Sequence, residues 1–444
     1  MRTRRLFLLA RDFRNHLKRE DMKIAMLVNN PCRHDTRVMR EAEALVDAGH
    51  SVTIYAHGDD GPNSETRNGV EYRRMRFHQQ QFDTAEVKDA GNLPTPDKSN
   101  PIRRLLGGIR SLTTAVITRT VFHVAHHAVK YPSSLTDRKL DAVHAHDLDT
   151  LLAGYLIARK HGAKLIYDAH ELETGRNGKF SRWERWWQAQ IERYLIRKAD
   201  RVVTVCDSIA ECLQSLYGID IPTVVLNTPQ STQQHPSDRH IREAIGLGDR
   251  MPLAIYIGSV TINRGLENTV YALAHAKDMH LAMIGPRSPE TEKVLIEIAR
   301  DLDLIDRLHL VDPVPPDEVI SFVRSADVSL VLIQNVCKSY ELCLPNKLFE
   351  SLFAGIPVAV AKLVELETIV NKTSAGLIVD ETDPVAIANG AMEIIINREK
   401  YTLSAPMMAE LQKDYGWETQ RKKLVALYDG FERAVAGPAI TVDS

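Results

Sequence analysis

Short apolar runs alternate with helical patterns along this chain from Met22 onward. KIAMLVNN is an apolar run ending in turn residues, and DTRVMREAEALVDAGH then sets Val38, Ala42 and Leu45 on one helical face with Gly49 as its stop. SVTIYAHG is a second run. Later come DAVHAHD, the helical DTLLAGYLIARKHG, AKLIYDAHE, a helix around residues 182–198, and DRVVTVC. This rhythm predicts parallel strands joined by crossover helices on both faces. Polar and breaker residues interrupt it over 227–250, NTPQSTQQHPSDRHIREAIGLGDR, which reads as a linker. It restarts with PLAIYIGS, a helix from Leu266, HLAMIGP, LHLVDP, a helix from Pro316, DVSLVLI, a helix within ELCLPNKLFESLFAGIPVAVA, and the run PVAVA. Two α/β halves of similar size are expected, with a cleft between them. A last segment, DYGWETQRKKLVALYDGFERA, carries Trp417, Leu424 and Tyr428 at helical spacing.

Composition narrows the function. The 444 residues are 44% hydrophobic and 26% charged, ordinary for a soluble protein and enough for two or three cores. A formal charge of -2 argues against a general nucleic-acid binder. The five cysteines, Cys32, Cys206, Cys212, Cys337 and Cys343, form no CxxC or Cys/His metal pattern, so a reduced, cytoplasmic chain is expected. The start, MRTRRLFLLARDFRN, has the basic flank of a signal peptide, but Arg11 and Asp12 stop its apolar stretch too soon. No run of 18 apolar residues occurs, so no membrane span is expected. A dinucleotide dehydrogenase would share the α/β rhythm. Neither NNPCRHDTR after the first strand nor GSVTINRG at the second opening supplies its GxGxxG glycines.

Ligands of open parallel sheets sit beyond the carboxyl ends of the strands. In the second half, Gly258 and Ser259 follow one strand, with Arg264 just before a helix. Pro286 and Arg287 follow the next strand, and DVSLVLI leads to the helix that opens with Pro345, Asn346 and Lys347. An arginine, a lysine and a helix N-terminus on one edge suit a diphosphate. Glu350, about one turn deeper than Asn346, would repel phosphate but could accept two ribose hydroxyls. The ligand implied is a nucleoside diphosphate carrying a further group. Taken alone, Glu350 is equally an ordinary solvated helix glutamate.

The chain resembles glycosyltransferase family 4, with the GT-B fold. The resemblance rests on DTRVMREAEALVDAGHSVTIYA, DAVHAHDLDTLLAGYLIARKHGAKLIYDAHE, ADRVVTVCDSIAECL, YIGSVTINRGLENTVYAL, LPNKLFESLFAGIPVAV and YGWETQRKKLVALY, in that order from Met22 to about Tyr428. It implies an α/β protein of two Rossmann-like, doubly wound parallel-sheet domains facing across a cleft. The expected division is a basic N-terminal extension over 1–21, an acceptor domain over 22–228, a nucleotide-sugar domain over 229–412, and a C-terminal helix over 413–444 crossing back towards the N-terminal domain. It also implies sugar transfer with retention of anomeric configuration. Arg264 takes the place of the family's diphosphate-binding lysine, Glu350 that of the ribose-binding glutamate, and His146 that of a histidine near the donor sugar. Two departures stand out. Ser259 replaces the arginine that usually follows the strand glycine, so one diphosphate contact is either missing or supplied from elsewhere, with Lys347 as the candidate. The first family glutamate should fall at Leu342, but Glu341 lies one residue early.

The expected catalytic residues are His146, Arg264 and Lys347. Donor binding is assigned to Gly258, Ser259, Arg264, Glu341, Asn346, Lys347 and Glu350. Acceptor binding is assigned to Arg33, Arg37, Asp147 and His170, with Asp149 and Glu171 nearby. Asp35 is expected to cap the helix opening at Thr36 or Arg37, and the Trp186–Trp187 pair to be packing. No metal and no cofactor are expected; the nucleoside-diphosphate sugar is a substrate. Two basic segments bear on the acceptor. Lys98, Arg103, Arg104, Arg110, Arg119 and Lys130 lie in a stretch without acids and interleave with apolar residues, and residues 1–21 repeat the theme. Such helices favour anionic membrane surfaces, while a packed helix with a solvated basic face accounts for the same pattern. The expected protein is therefore a cytoplasmic transferase, peripheral on the inner face of the plasma membrane if those segments bind it. It would move a sugar to a hydroxyl of a glycan or lipid-linked saccharide in cell-surface polysaccharide synthesis. The alternatives are a nucleotide-sugar epimerase of the same fold and a non-catalytic sugar-nucleotide-binding subunit.

Overall fold

A computed structural model describes residues 21–59, 61–75, 131, 135, 139–178, 181–230, 239–262 and 264–435. The basic segments 1–20 and 98–130 lie outside the described residues. Eight strands form the first sheet: β1 (Lys23–Leu27), β2 (Ser51–His57), β3 (Ser64–Arg67), β4 (Val70–Met75), β5 (Ala142–His146), β6 (Lys164–Ala169), β7 (Arg201–Thr204) and β8 (Thr223–Val224). Their order is β3-β4-β2-β1-β5-β6-β7-β8. Strand β1 pairs in parallel with β2 and β5, β2 with β4, and β5 with β6, while β3–β4 is an antiparallel hairpin. That hairpin was absent from the expected rhythm. Its turn is Asn68-Gly69, with φ of 50° and 78°; an Asn-Gly pair supplies the two left-handed residues a tight hairpin requires.

The second sheet comprises β9 (Leu253–Ile257), β10 (His280–Ile284), β11 (Leu308–Val311), β12 (Val328–Val331), β13 (Val358–Ala361) and β14 (Gly376–Val379). It runs β11-β10-β9-β12-β13-β14, every pairing parallel. This is the doubly wound order, which reverses between β9 and β12 and opens a crevice at the ends of those strands. Strand β9 shows why the apolar runs are continuous. Ala254 and Tyr256 pack into one core cluster, Leu253, Ile255 and Ile257 into another on the opposite face. Each fully buried aliphatic side chain contributes about 1.5–3 kcal/mol.

The helices that position functional residues are α1 (Thr36–Asp47), α2 (Asp147–His161), α3 (Arg182–Ile196), α4 (Leu266–Ala272), α5 (Lys338–Glu341), α6 (Asn346–Phe353) and α7 (Trp417–Val435). As expected, Asp35 caps α1, its carboxylate accepting from the Val38 N–H at 3.3 Å. Helix α2 places Asp147 and Asp149 in its first turn and Arg159, Lys160 and His161 in its last, matching the helix dipole.

The chain divides into two compact units. The first comprises the described residues of Met1–Asp168, Tyr194–Arg201 and Leu424–Ser444; the second comprises Ala169–Arg193 and Val202–Lys423. Within the first, Leu424, Tyr428 and Phe431 of α7 are buried, and the Tyr428 hydroxyl lies 2.9 Å from Nδ1 of His144. Within the second, Gln420 of α7 is buried and accepts from the Leu226 N–H at 3.2 Å.

Candidate functional site

In the second unit, backbone geometry at two strand ends brings main chain to the crevice. Gly258, after β9, has φ of 121°, and Gly285, after β10, has φ of 147°. A Cβ on Gly285 would lie 2.2 Å from the Gly258 carbonyl oxygen, so the two loops approach at a distance only glycine permits. Gly265, at φ of 73°, precedes α4, and a Cβ there would meet the Leu332 carbonyl at 2.3 Å.

Helix α6 is the one anticipated between two prolines. Pro345 is its N-cap and has no side-chain acceptor to offer, so the first-turn N–H groups gain no capping bond from it. Leu348, Phe349 and Leu352 bury its apolar side. The Ser351 hydroxyl reaches the Lys347 carbonyl and the Ser329 hydroxyl of β12, each at 2.7 Å, anchoring the helix to the sheet. Asn346 and Glu350 are half-buried, one turn apart.

Lys347 is 9% exposed, and its ammonium lies 3.8 Å from the centroid of the Tyr256 ring and against Gly258. Burial, and then the nearby Arg264 charge, push its pKa down to about 7, with Glu350 opposing. Arg264 is half-buried, its guanidinium carbon 5.1 Å from the centroid of Tyr340. Among the described residues, neither cation makes an ion pair with a carboxylate. Two cations are therefore held close to each other on aromatic rings, and a bound anion would relieve their repulsion. Burial raises the Cys343 thiol to about 12 and the Tyr256 phenol to about 12, so both are neutral at physiological pH. Tyr256 donates to the Ser259 carbonyl at 2.8 Å and so shapes the loop after Gly258, while Ser259 itself is exposed. Glu341 belongs to α5 and pairs with Lys338 at 2.6 Å. His170 is half-buried after β6, and the neighbouring Glu171 accepts from the Ser339 hydroxyl at 3.4 Å. Tyr256, Tyr340 and Cys343 were not anticipated. Tyr256 carried one signal, a hydroxyl inside an otherwise aliphatic strand.

In the first unit, a buried polar network gathers at the ends of β5 and β6. Arg37 makes a bidentate pair with Asp168, at 2.7 and 2.8 Å, and meets Glu41 at 3.1 Å, all three essentially buried. Its guanidinium is thus turned inward. His146 is 1% exposed, its Nδ1 3.2 Å from Asp168 and its ring stacked on His144 with centroids 4.4 Å apart. Donor atoms of Glu41, His144, His146 and Asp168 lie within 4.8 Å of one another, a set a divalent cation could share. The Arg37 guanidinium already supplies the positive charge to both carboxylates. Asp147 adopts φ of 60°, rare for a residue with a side chain, and the Asp149 carboxylate accepts from Asn29 at 2.9 Å. Arg33 lies nearer the surface in a bidentate pair with Asp59. Asp168 was missed, although a lone carboxylate in the run AKLIYDA is a signal that it has a buried partner.

A surface depression along β11, lined by residues including Arg239, His309, Asp312 and Phe322, shares none of these groups.

Two family profiles match the chain: "Glycosyl transferase 4-like domain" over residues 34–228 and "Glycosyl transferases group 1" over 237–404. This chain belongs to the family 4 glycosyltransferases of GT-B fold, and it is a glycosyltransferase. D-inositol 3-phosphate glycosyltransferase of Xylanimonas cellulosilytica is 26% identical over 305 residues, covering 65% of this chain and 71% of that protein. Among solved structures, sucrose-phosphate synthase of Thermosynechococcus elongatus superposes with a TM-score of 0.68 at 18% identity, covering 93% of this chain and all of that one. Anabaena HepE, solved with UDP and glucose, gives 0.62 at 14% identity over 92% of this chain and all of its own. These likenesses show the shared fold.

Proposed function

We propose that this glycosyltransferase takes its sugar from a nucleoside diphosphate, transfers it with retention of anomeric configuration, and delivers it to a hydroxyl of a glycan or lipid-linked saccharide. The observation that carries the reading is the pair Lys347 and Arg264, two adjacent cations without a carboxylate partner among the described residues, beside the open first turn of α6. In this reading they hold the diphosphate and stabilise the charge that grows on it as the glycosidic bond breaks. Gly258 and Ser259 bring backbone close to it, Asn346 adds an amide, and Glu350 accepts the ribose hydroxyls. HepE complexes with UDP and with UDP-glucose support a donor of this class. Glu341, already paired with Lys338, would have to leave that partner to meet the sugar.

His146 is assigned to the donor sugar, with Asp168 holding its Nδ1 and so fixing the ring's tautomer. Arg33, Asp147 and His170 are assigned to the acceptor, and Arg37, by its inward position, acts through Asp168. No helix of the described residues is long and apolar enough to cross a membrane. The reading places the enzyme in cell-surface polysaccharide synthesis, at the inner face of the membrane, where a lipid-linked acceptor would lie.

A thermal-shift screen of nucleoside mono- and diphosphates and their sugars tests this. A ligand at a hundred times its Kd adds about 2.7 kcal/mol of stability, so one diphosphate series should raise Tm and the matching monophosphate should do so less. No shift with any nucleoside diphosphate or its sugar would overturn the reading.

A further inference from the structure

Helix α3 presents an aromatic and cationic face to which the proposed function assigns no residue. Trp183, Trp186 and Tyr194 are 64%, 48% and 58% exposed, far more than rings of this size usually are. Positions 183, 187, 190 and 194 follow one another at steps of four, three and four, with Trp186 adjoining Trp187, so they share one face of the helix, and Arg197 follows just past its end. Trp187 shields part of itself against Trp186, edge to face at 4.8 Å, so the pair expected to be packing is only half so.

The charges on this face have one sign. Both acids of α3 are withdrawn: Glu184 accepts from the Ser181 N–H at 2.7 Å in a reciprocal cap, and Glu192, fully buried, accepts from the Tyr217 hydroxyl at 2.6 Å. Arg193, Arg197 and Lys198 are exposed. In the first unit, Lys198 lies over the Tyr194 ring at 5.4 Å, and the exposed Arg159 of α2 donates to Tyr155 at 3.1 Å, so a second helix adds rings and cations of the same kind.

We infer that this face of α3 docks on a bilayer surface carrying anionic phospholipid. Tryptophan and tyrosine place an apolar body and a polar tip at the headgroup level, and arginine and lysine meet the phosphates beside them. From Trp183 to Tyr194 the face runs about 16 Å at 1.5 Å per residue, a length suited to lying along a surface rather than to holding one sugar ring. Charge complementarity selects the anionic bilayer over a neutral one. The inference rests on the membrane contact proposed above but locates it on a surface other than the basic segments that suggested it.

The test is cosedimentation of the full chain with vesicles of phosphatidylcholine containing phosphatidylglycerol, against phosphatidylcholine alone, at low and high salt. The full chain should pellet with the anionic vesicles and leave them as salt rises. Trp183→Ser/Trp186→Ser and, separately, Arg193→Gln/Arg197→Gln/Lys198→Gln should each lower the partition coefficient at least tenfold, with unchanged far-UV circular dichroism and nucleotide-induced thermal shift. Binding by both variants equal to that of the parent overturns the assignment to α3 and leaves the membrane contact to the N-terminal segments. No binding of the parent at low salt overturns both. A substitution that instead abolishes self-association of the chain, with no vesicle binding by the parent, assigns the face to a second copy and also overturns the inference.

Discussion

The ammonium of Lys347 rests 3.8 Å from the centroid of the Tyr256 ring, buried beside the Arg264 charge. A lysine so placed is half-neutral near pH 7 and becomes a full cation when an anion arrives. Its pKa, about 7 in the fold against 10.5 for an ordinary lysine, means that between those values the unfolded chain holds a proton the folded chain lacks. Stability from this group therefore rises with pH across that window, and its penalty is fully present below 7. Titration of a nucleoside diphosphate at pH 8.5, in buffers of different ionisation enthalpy, should show uptake of up to about one proton per nucleotide bound. Lys347→Arg should abolish the uptake, because arginine stays charged throughout.

Arg37 is buried between Asp168 and Glu41, so removing Asp168 strips the guanidinium of its bidentate partner and leaves it Glu41 alone. Asp168→Asn should cost about 3–5 kcal/mol in denaturant unfolding. Replacing the whole charged set, as Arg37→Met/Glu41→Leu/Asp168→Leu, should recover part of that loss, because Arg37 balances both carboxylates. A cost within about 0.5 kcal/mol for the single change would mean that the pair is not formed in solution.

Gly285 is the most sensitive backbone position in the crevice. Gly285→Ala puts a Cβ 2.2 Å from the Gly258 carbonyl at a φ of 147°, so one strand end must move. Strain of this kind costs about 1–3 kcal/mol, and the displaced Gly258–Ser259 loop should weaken nucleotide binding beyond what the stability loss explains. Isothermal titration at a temperature where the variant is fully folded separates the two effects.

What the sequence showed depended on how far apart the cooperating residues lie. Strand β9 was legible because five consecutive buried residues form an apolar run, and α6 because prolines and a glycine bracket it. Asn346, Lys347 and Glu350 were legible as a group for the same reason: they share eight residues of helix. The seat of Lys347 on Tyr256 was not, since it depends on β9 and α6 meeting at the reversal of strand order. The inward turn of Arg37 depends likewise on a partner 131 residues away. The β3–β4 hairpin was legible in its Asn-Gly turn but was overlooked, because β3 is a short, largely exposed edge strand and β4 interrupts its apolar positions with Glu71, Arg73 and Arg74.

Glu350→Gln, measured by calorimetric titration with the preferred nucleoside diphosphate alongside the transfer rate of Arg264→Ala, tests the nucleotide site most directly. Hydrogen bonds to a charged group contribute roughly 1.5–3 kcal/mol, so losing the ribose acceptor should weaken binding by about one to two powers of ten. Arg264→Ala should lower turnover more than donor affinity, because charge on the leaving diphosphate grows toward the transition state. If Glu350→Gln binds the nucleotide within about 0.5 kcal/mol of the parent, as a solvated surface glutamate would, the assignment of α6 to the donor is wrong.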